Sequence, residues 1–179
     1  LGVRTINQTL TAELESIRAN FDIQFIWQTG KIYINQVREA ITADTGEPVR
    51  QPHIPAIPNL YVTDFIKDMA QAYAAADLVI SRAGAGSISE FCLLHKPVIL
   101  IPSPNVAEDH QTQNALALVN KGAAIFVKDA EANEQLLTTA LETVTNAEKL
   151  KSLSENIAAL ALPDSATIIA KEVLKLIKK

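Results

Sequence analysis

The sequence has little of what a disulfide scaffold, a membrane span or a nucleic-acid-binding surface requires. Cys92 is the single cysteine among 179 residues, so no internal disulfide can form and a reducing compartment is favoured. Its apolar neighbours in EFCLLHKP predict a core residue rather than a nucleophile. No apolar run approaches the roughly 20 residues that span a bilayer. The formal net charge of −4 argues against a nucleic-acid partner, because phosphates require clustered Lys and Arg.

Short apolar segments alternate with segments of helical periodicity along the whole chain. Helical spacing is clear at the start, where Ile6, Leu10, Leu14 and Ile17 form one face. Continuous apolar strands are typical of a parallel sheet that helices bury on both faces. We therefore predict an α/β fold, a doubly wound parallel sheet of Rossmann-like type, with a loop in the Pro-rich stretch GEPVRQPHIPAIPN. The segments predicted to be strands are IQFIWQ, LYVTDF, DLVI, KPVILIP and GAAIFV.

The first strand of such a fold is expected to be missing from this chain. A doubly wound domain normally opens with a strand and a Gly-rich turn. The sequence opens instead at Leu1 and Gly2, directly before a predicted helix.

The stretch SRAGAGSISEF, residues 81–91, follows the predicted strand DLVI and leads into a helix. Gly84 and Gly86 allow a tight turn and a close backbone approach to a ligand. The helix N-terminus behind them offers N–H groups and a partial positive charge, which favour a phosphate or diphosphate. Ligands bind at such strand ends in open α/β sheets, although Gly-containing strand-to-helix turns are common.

Two side chains of this stretch have two interpretations each. Ser87 and Glu90 fit the S-x-x-E capping box, in which Glu90 would cap its own helix. The carboxylate of Glu90 would instead accept hydrogen bonds from a ribose diol in a nucleotide site. Arg82 is expected to pair either with a phosphate or with a neighbouring carboxylate.

A second polar loop, SPNVAEDHQTQNALAL, also follows a predicted strand and opens a helix. Its neutral amides can donate to and accept from sugar hydroxyls, whereas an N-cap by Asp109 is the simpler explanation. One loop suited to a diphosphate beside one suited to hydroxyls indicates a nucleotide-sugar site. We predict no metal site, since His110, Asp109 and Glu108 lack a further ligand group at helical spacing.

These residues resemble the carboxy-terminal half of the MurG glycosyltransferases. The resemblance rests on DFIKDMAQAYAAADLVISRAGAGSISEFCLLHKPVILIPSPNVAEDHQTQNALAL, with WQTGK and TINQTL in support, and extends over Leu1 to Lys179. It implies the carboxy-terminal half of a GT-B fold and an inverting N-acetylglucosaminyltransferase. Such an enzyme transfers N-acetylglucosamine from its UDP donor to undecaprenyl-diphosphate-muramoyl-pentapeptide, called lipid I, and forms lipid II for peptidoglycan.

The resemblance also implies roles for individual residues. The segment Ala83, Gly84, Ala85, Gly86 and Ser87, next to Arg82, corresponds to the loop that faces the donor diphosphate and amino sugar. Glu90 corresponds to the acidic residue on the uridine ribose, and Ile66 to the position that contacts the uracil through its backbone. Gln111 and Asn114 correspond to the polar pair that reads the sugar hydroxyls, with His110 close to the sugar.

The resemblance predicts the organisation and partners as well. Residues 1–179 would form the UDP-N-acetylglucosamine-binding domain, with carboxy-terminal helices from about residue 147. The amino-terminal acceptor domain would be absent, and with it the catalytic base, the lipid I site and the peripheral contact with the cytoplasmic face of the bacterial plasma membrane. We expect no cofactor, and no activity from this chain alone. The alternatives are a stand-alone donor-binding subunit of a split glycosyltransferase, and a UDP-sugar epimerase.

Overall fold

The computed structural model describes residues 3–104 and 109–177, with the backbone alone at residue 177. The described chain contains six strands, and helices separate all of them except β2 and β3. The strands are β1 (Phe25–Gln28), β2 (His53–Ile54), β3 (Ile57–Thr63), β4 (Val79–Ser81), β5 (Val98–Leu100) and β6 (Ile125–Phe126). The helices are α1 (Arg4–Ala12), α2 (Leu14–Ala19), α3 (Ile34–Thr45), α4 (Met69–Ala75), α5 (Ala85–Leu93), α6 (His110–Val119), α7 (Ala132–Val144), α8 (Ala147–Ala158) and α9 (Ser165–Ile177).

The strands form two three-stranded sheets. In the first, β1 pairs in parallel with β3, and β2 adds an antiparallel edge on the other side of β3. In the second, β5 lies between β4 and β6, and both pairings are parallel. Helices α3, α5 and α6 each connect two neighbouring parallel strands, which is the βαβ unit that we predicted.

Helices cover both faces of the second sheet, as in a doubly wound fold. Ile99 belongs to a core cluster with residues of α1, α2, α3 and α7. Its neighbours Val98 and Leu100 belong to a second cluster with residues of α5, α6 and α8. Since successive side chains of a strand point to opposite faces, β5 is buried from both sides. The continuous apolar run in KPVILIP is explained by this two-sided burial.

Local signals account for several helix boundaries. The Asp68 side chain caps α4 by accepting a hydrogen bond from the Gln71 N–H at 3.0 Å. The Asn146 side chain caps α8 in the same way, accepting from the Lys149 N–H at 3.0 Å. Helix α3 ends at Gly46, whose φ of 75° is the left-handed conformation that glycine adopts without strain.

The structure differs from the sequence-based prediction in two elements. The first predicted helix is divided at Glu13, which separates α1 from α2. The Pro-rich stretch that we predicted to be a loop contains β2, and β3 begins within it at Ile57. Pairing with β3 stabilises this short edge strand. An edge strand tolerates flanking prolines because its outer side has no partner strand, so no backbone N–H is required there for pairing.

The last helix, α9, exposes apolar side chains. Ile169 is 63% exposed and Leu174 is 57% exposed. The apolar side chains described on α9 are therefore not buried in the core of this domain. No helix within the described ranges has the length and apolarity to cross a membrane.

Candidate functional site

The candidate site lies where several strands end. Because β4 and β5 are parallel neighbours, with Ser81 opposite Leu100, the loops that follow them lie at the same edge of the sheet. The first of these loops leads into α5 and the second leads towards α6. The two polar loops of the sequence are therefore brought together as expected, except that residues 105–108, including Glu108, fall outside the described residues.

The turn into α5 has open space around its glycines. Gly84 is the N-cap of α5, with ordinary extended backbone angles (φ −71°, ψ 139°). A Cβ atom at Gly86 would contact nothing within 4 Å, and one at Gly84 would reach only Ser87 Oγ, at 4.0 Å. A tight turn with positive φ therefore does not explain these glycines. The remaining physical reason for glycine at these two positions is that the absence of a Cβ atom leaves room for a ligand to approach the backbone.

The N-terminus of α5 presents unpaired backbone donors to this space. The first intrahelical bond at this end runs from the Ile88 N–H to the Gly84 carbonyl, at 3.0 Å. The N–H groups of Ala85, Gly86 and Ser87 therefore have no partner within the helix. No side chain caps this end. Such an arrangement can bind an anion through N–H donors and the helix dipole.

Glu90 does not form the capping box. The box requires Ser87 at the N-cap, but α5 begins at Ala85 and its N-cap is Gly84, so Ser87 lies inside the helix. This interpretation was wrong because the helix begins before the S-x-x-E motif. The Glu90 carboxylate instead accepts a hydrogen bond from the Tyr73 hydroxyl, at 3.0 Å.

Tyr73 is held between Glu90 and the core. Its ring packs edge-to-face on Phe91, with centroids 5.9 Å apart. Burial, the hydrogen bond to Glu90 and repulsion from the Glu90 charge together raise the pKa of Tyr73 to about 12. The phenol therefore stays protonated at neutral pH and continues to donate to Glu90. The sequence analysis did not identify Tyr73, because no local pattern connects α4 to α5.

Arg82 pairs with a carboxylate of this chain. Its Nη1 donates to Asp129 Oδ1 at 2.5 Å, and to the carbonyl oxygens of Ile101 and Pro102 at 3.0 and 3.2 Å. The side chains of Arg82 and Asp129 are only 11% and 19% exposed. Asp129 also accepts from Thr5 Oγ1 at 2.9 Å. Of the two alternatives, the neighbouring carboxylate is the one observed, and Arg82 ties the ends of β4 and β5 to the segment after β6.

Two amides of α6 hold the strand-end loops. Asn114 Nδ2 donates to the Ala83 carbonyl at 3.1 Å, and the Ser103 N–H donates to Gln111 Oε1 at 2.9 Å. These bonds do not use the Gln111 NH₂ group or the Asn114 carbonyl oxygen. Each side chain therefore retains a polar atom of the kind that sugar hydroxyls bind. His110, the first residue of α6, is exposed.

Asp109 occupies the N-cap position of α6 without capping it. Its φ of 53° is left-handed, and its side chain makes no capping hydrogen bond. The simpler explanation of this loop as a side-chain N-cap is therefore wrong. Among the residues described, no group of three or more His, Cys, Asp or Glu side chains is arranged to hold a metal ion.

Ile66 lies at the end of another strand. It follows β3, and its backbone N–H donates to Gln28 Oε1 at 2.8 Å. Gln28 is the last residue of β1 and belongs to the segment WQTGK. The backbone group predicted to contact a base is thus held by a side chain that the sequence analysis had not assigned.

A cavity of 390 Å³ joins these parts of the molecule. Gln28, Ile66, Tyr73, Arg82 and Ser87 all line it. It therefore connects the loop after β3 with the N-terminus of α5. Ala83, which follows Arg82, is buried, and its carbonyl accepts the hydrogen bond from Asn114.

Comparisons with known proteins identify the class to which this fold and site belong. Residues 1–169 match the glycosyltransferase family 28 C-terminal domain. The chain therefore belongs to this glycosyltransferase domain family, as the sequence motifs indicated.

The names of individual relatives are more specific than the description of the family. The chain is 74% identical over 176 residues to the UDP-N-acetylglucosamine–N-acetylmuramyl-(pentapeptide) pyrophosphoryl-undecaprenol N-acetylglucosamine transferase of Bacteroides fragilis, covering 98% of this chain and 44% of that protein. It is 50% identical over 179 residues to the protein of the same name in Parabacteroides distasonis, covering 45% of it. The chain thus spans less than half the length of these curated relatives.

Solved structures agree with this assignment. The crystal structure of Acinetobacter baumannii MurG matches with a TM-score of 0.77 and 27% identity, over 98% of this chain and 47% of that one. A solution structure titled ALG13 matches with a TM-score of 0.52 and 25% identity, over 80% of this chain and 81% of that one.

Proposed function

We propose that this chain is the donor-binding half of an enzyme that transfers N-acetylglucosamine from UDP-N-acetylglucosamine to lipid I, which yields lipid II. The names of its relatives and its family support this proposal, since a relative 74% identical to this chain is named as a transferase of this kind. The structural observation that carries it is the pairing of an uncapped α5 N-terminus with Glu90. The Glu90 carboxylate accepts a hydrogen bond from Tyr73 and lies on α5. The first N–H groups of the same helix face open space.

In this proposal α5 binds two parts of the donor, the diphosphate and the ribose. The N–H groups of Ala85, Gly86 and Ser87 contact the diphosphate. The Glu90 carboxylate accepts hydrogen bonds from the ribose hydroxyls, and Tyr73 holds it in position through the 3.0 Å bond. The backbone of Ile66, on the other side of the cavity, contacts the uracil.

The sugar would lie against α6. Gln111 and Asn114 use one polar atom each to hold the strand-end loops. Their remaining amide atoms then bind the hydroxyls of N-acetylglucosamine, with His110 close by. Arg82 positions the loop of Ala83 through its contacts with Asp129 and the two carbonyls rather than by binding phosphate itself.

The chemistry is a single displacement with inversion. An acceptor hydroxyl attacks the anomeric carbon, the bond to the diphosphate breaks, and UDP leaves with the bonding electrons. Negative charge grows on the diphosphate in the transition state. The α5 N-terminus stabilises that charge because its donors and dipole are already oriented.

The acceptor side of the reaction belongs to a part of the enzyme beyond this chain. The general base, the lipid I site and a peripheral contact with the cytoplasmic face of the plasma membrane are assigned to an amino-terminal domain. The relatives are more than twice as long as the segment that matches, which leaves room for such a domain.

Calorimetric titration of the chain with UDP-N-acetylglucosamine tests the donor site. We expect binding that is stronger than for UDP-glucose and that weakens about tenfold or more in Glu90→Ala, since a charged hydrogen-bond acceptor contributes about 1.5–3 kcal/mol. Glu142→Ala is the matched control, because it removes an exposed carboxylate from α7. Equal affinity of the wild type and Glu90→Ala would contradict the assignment of Glu90 to the ribose.

A further inference from the structure

The side chain of Gln28 occupies the backbone donor of Ile66. Its Oε1 accepts the Ile66 N–H at 2.8 Å. Since an N–H group makes one well-aligned hydrogen bond, this N–H is not available to a base in this arrangement. Among the described residues, nothing donates to the Ile66 carbonyl and nothing accepts from the Gln28 NH₂ group. One donor and one acceptor therefore remain where the end of β1 meets the loop after β3.

The backbone fixes how far Gln28 lies from this loop. Gln28 is opposite Thr63 in the parallel pairing of β1 with β3. The pairing continues beyond the strands, because the Gly30 N–H donates to the Asp64 carbonyl at 3.1 Å. Ile66 follows two residues later. The loop that carries Ile66 is thus anchored to the end of β1 next to the point that the Gln28 carboxamide reaches.

The Gln28 side chain lies on the face of the sheet that carries the residues assigned to the ribose. Its neighbour Trp27 points towards α1, where its Nε1 donates to Asn7 at 2.9 Å. Successive side chains of a strand point to opposite faces, so Gln28 points away from α1. It lines the 390 Å³ cavity together with Tyr73, whose hydroxyl donates to Glu90. A base bound there would lie on the side where Tyr73 orients the carboxylate.

A donor beside an acceptor matches the edge of uracil. Uracil presents an acceptor at O4 and a donor at N3–H, whereas cytosine presents a donor at its 4-amino group and an acceptor at N3. The Ile66 carbonyl can accept from N3–H of uracil, and the Gln28 NH₂ group can donate to O4. With cytosine, the same two contacts would place a donor against a donor and an acceptor against an acceptor.

We propose that Gln28 determines the base specificity of this site, by donating from Nε2 to O4 of uracil while the Ile66 carbonyl accepts from N3–H. This role rests on the proposed function, in which the Ile66 backbone contacts the uracil of the donor. It adds a side chain to a contact otherwise made by the backbone alone. The bond from the Ile66 N–H to Oε1 supports the role, because it orients the carboxamide before the base arrives and so reduces the entropy cost of binding.

Gln28→Glu separates the two bonds of this side chain. A carboxylate keeps an acceptor oxygen for the Ile66 N–H, so the loop stays in place. Its second oxygen replaces the NH₂ donor, repels O4 of uracil and accepts from the 4-amino group of cytosine. The added charge repels the diphosphates of UDP and CDP equally. A residue that only held the loop would leave the choice of base unchanged, so the ratio of the two affinities is the readout.

Gln24→Glu is the matched control. Gln24 directly precedes β1, is exposed and lines the same cavity, so this variant adds the same charge to the same surroundings. An extended strand places it about 13 Å from Gln28. Calorimetric titration of the 179-residue chain with UDP and with CDP gives both affinities for the wild type and the two variants.

We expect the wild type to bind UDP about tenfold or more tightly than CDP, because mispaired donors and acceptors lose their hydrogen bonds to water without replacement. Gln28→Glu should lower this ratio about tenfold or more, by weakening UDP and strengthening CDP. Gln24→Glu should keep the ratio of the wild type.

Three results would overturn the role of Gln28 and leave the proposed function intact, provided that the wild type binds UDP. These are equal affinities of the wild type for UDP and CDP, an unchanged ratio in Gln28→Glu, and loss of both nucleotides in Gln28→Glu, since CDP should gain a partner there. A wild type that binds neither nucleotide would instead overturn the donor site itself, and the role of Gln28 with it.

Discussion

The Tyr73 hydroxyl donates a hydrogen bond to the Glu90 carboxylate across 3.0 Å, joining α4 to α5 beside the strand ends. This contact leaves one Glu90 oxygen oriented but unused by Tyr73. A side chain in such an arrangement has lost part of its rotamer freedom before any ligand arrives, which reduces the entropy cost of binding.

Tyr73→Phe should therefore weaken binding of UDP-N-acetylglucosamine about fivefold. The loss of about 1 kcal/mol is smaller than for Glu90→Ala, because Tyr73 only orients the carboxylate and does not itself contact the donor. Calorimetric titration measures the change. Tyr61→Phe is the control, since it removes the hydroxyl of an exposed tyrosine on β3. If Tyr73→Phe binds the donor as tightly as the wild type, Tyr73 does not position Glu90 for binding.

The ionisation of Tyr73 should be visible at high pH. Its pKa is raised to about 12 in the folded chain, from 10.0, mainly by burial and then by Glu90. A raised pKa means that the stabilising contribution is complete below pH 10 and is lost as the pH rises towards 12. Difference titration of tyrosinate absorbance, wild type minus Tyr73→Phe, should show a transition near pH 12. A transition near pH 10 would contradict the half-buried, Glu90-bound environment.

Gln28 should control the exchange of the Ile66 amide. Its Oε1 accepts the Ile66 N–H at 2.8 Å, so Gln28→Ala should raise the exchange rate of that amide about fivefold, for a net bond of about 1 kcal/mol. Gln28→Glu keeps an acceptor oxygen at nearly the same place and should preserve the protection. Similar exchange in Gln28→Ala and the wild type would show that this bond does not hold the Ile66 loop.

Arg82→Ala should lower the free energy of unfolding by about 2 kcal/mol or more, because it leaves the Asp129 carboxylate half-buried without its cation. Denaturant unfolding measures this loss. Arg18→Ala is a matched control, because Arg18 forms an ion pair with Asp44 in which the two side chains are 41% and 32% exposed. Such an exposed pair should contribute less than about 1 kcal/mol. Equal losses in the two variants would show that the Arg82 pair is no more than a surface contact.

Cys92 should react slowly with thiol reagents. The residue is 5% exposed, and burial raises the pKa of its thiol above the ordinary value, so little thiolate forms at neutral pH. Labelling by a disulfide reagent in native buffer should be many times slower than in denaturant. Labelling at the same rate in both conditions would contradict a core position.

The class of fold could be predicted from the sequence because it depends on local periodicity. Apolar runs such as KPVILIP are long enough for strands buried on both faces, and Ile6 to Ile17 repeat at helical spacing. The position of the two polar loops followed from the same logic, since the carboxyl ends of parallel strands share one edge. The core position of Cys92 was also correctly predicted from its apolar neighbours.

What the sequence by itself determined was therefore the βα alternation from β3 to α8, the strand-end location of the polar residues and the family. It did not predict β2 or the break between α1 and α2. Only the tertiary structure decided which side chains meet there. Arg82 reaches Asp129 across 47 residues, Gln28 reaches Ile66 across 38, and Tyr73 reaches Glu90 across 17. The S-x-x-E motif failed for the same reason, since the chain path through the loop starts α5 before Ser87. Periodicity and turn chemistry act over a few neighbouring residues, whereas these contacts depend on how the sheets and helices pack in three dimensions.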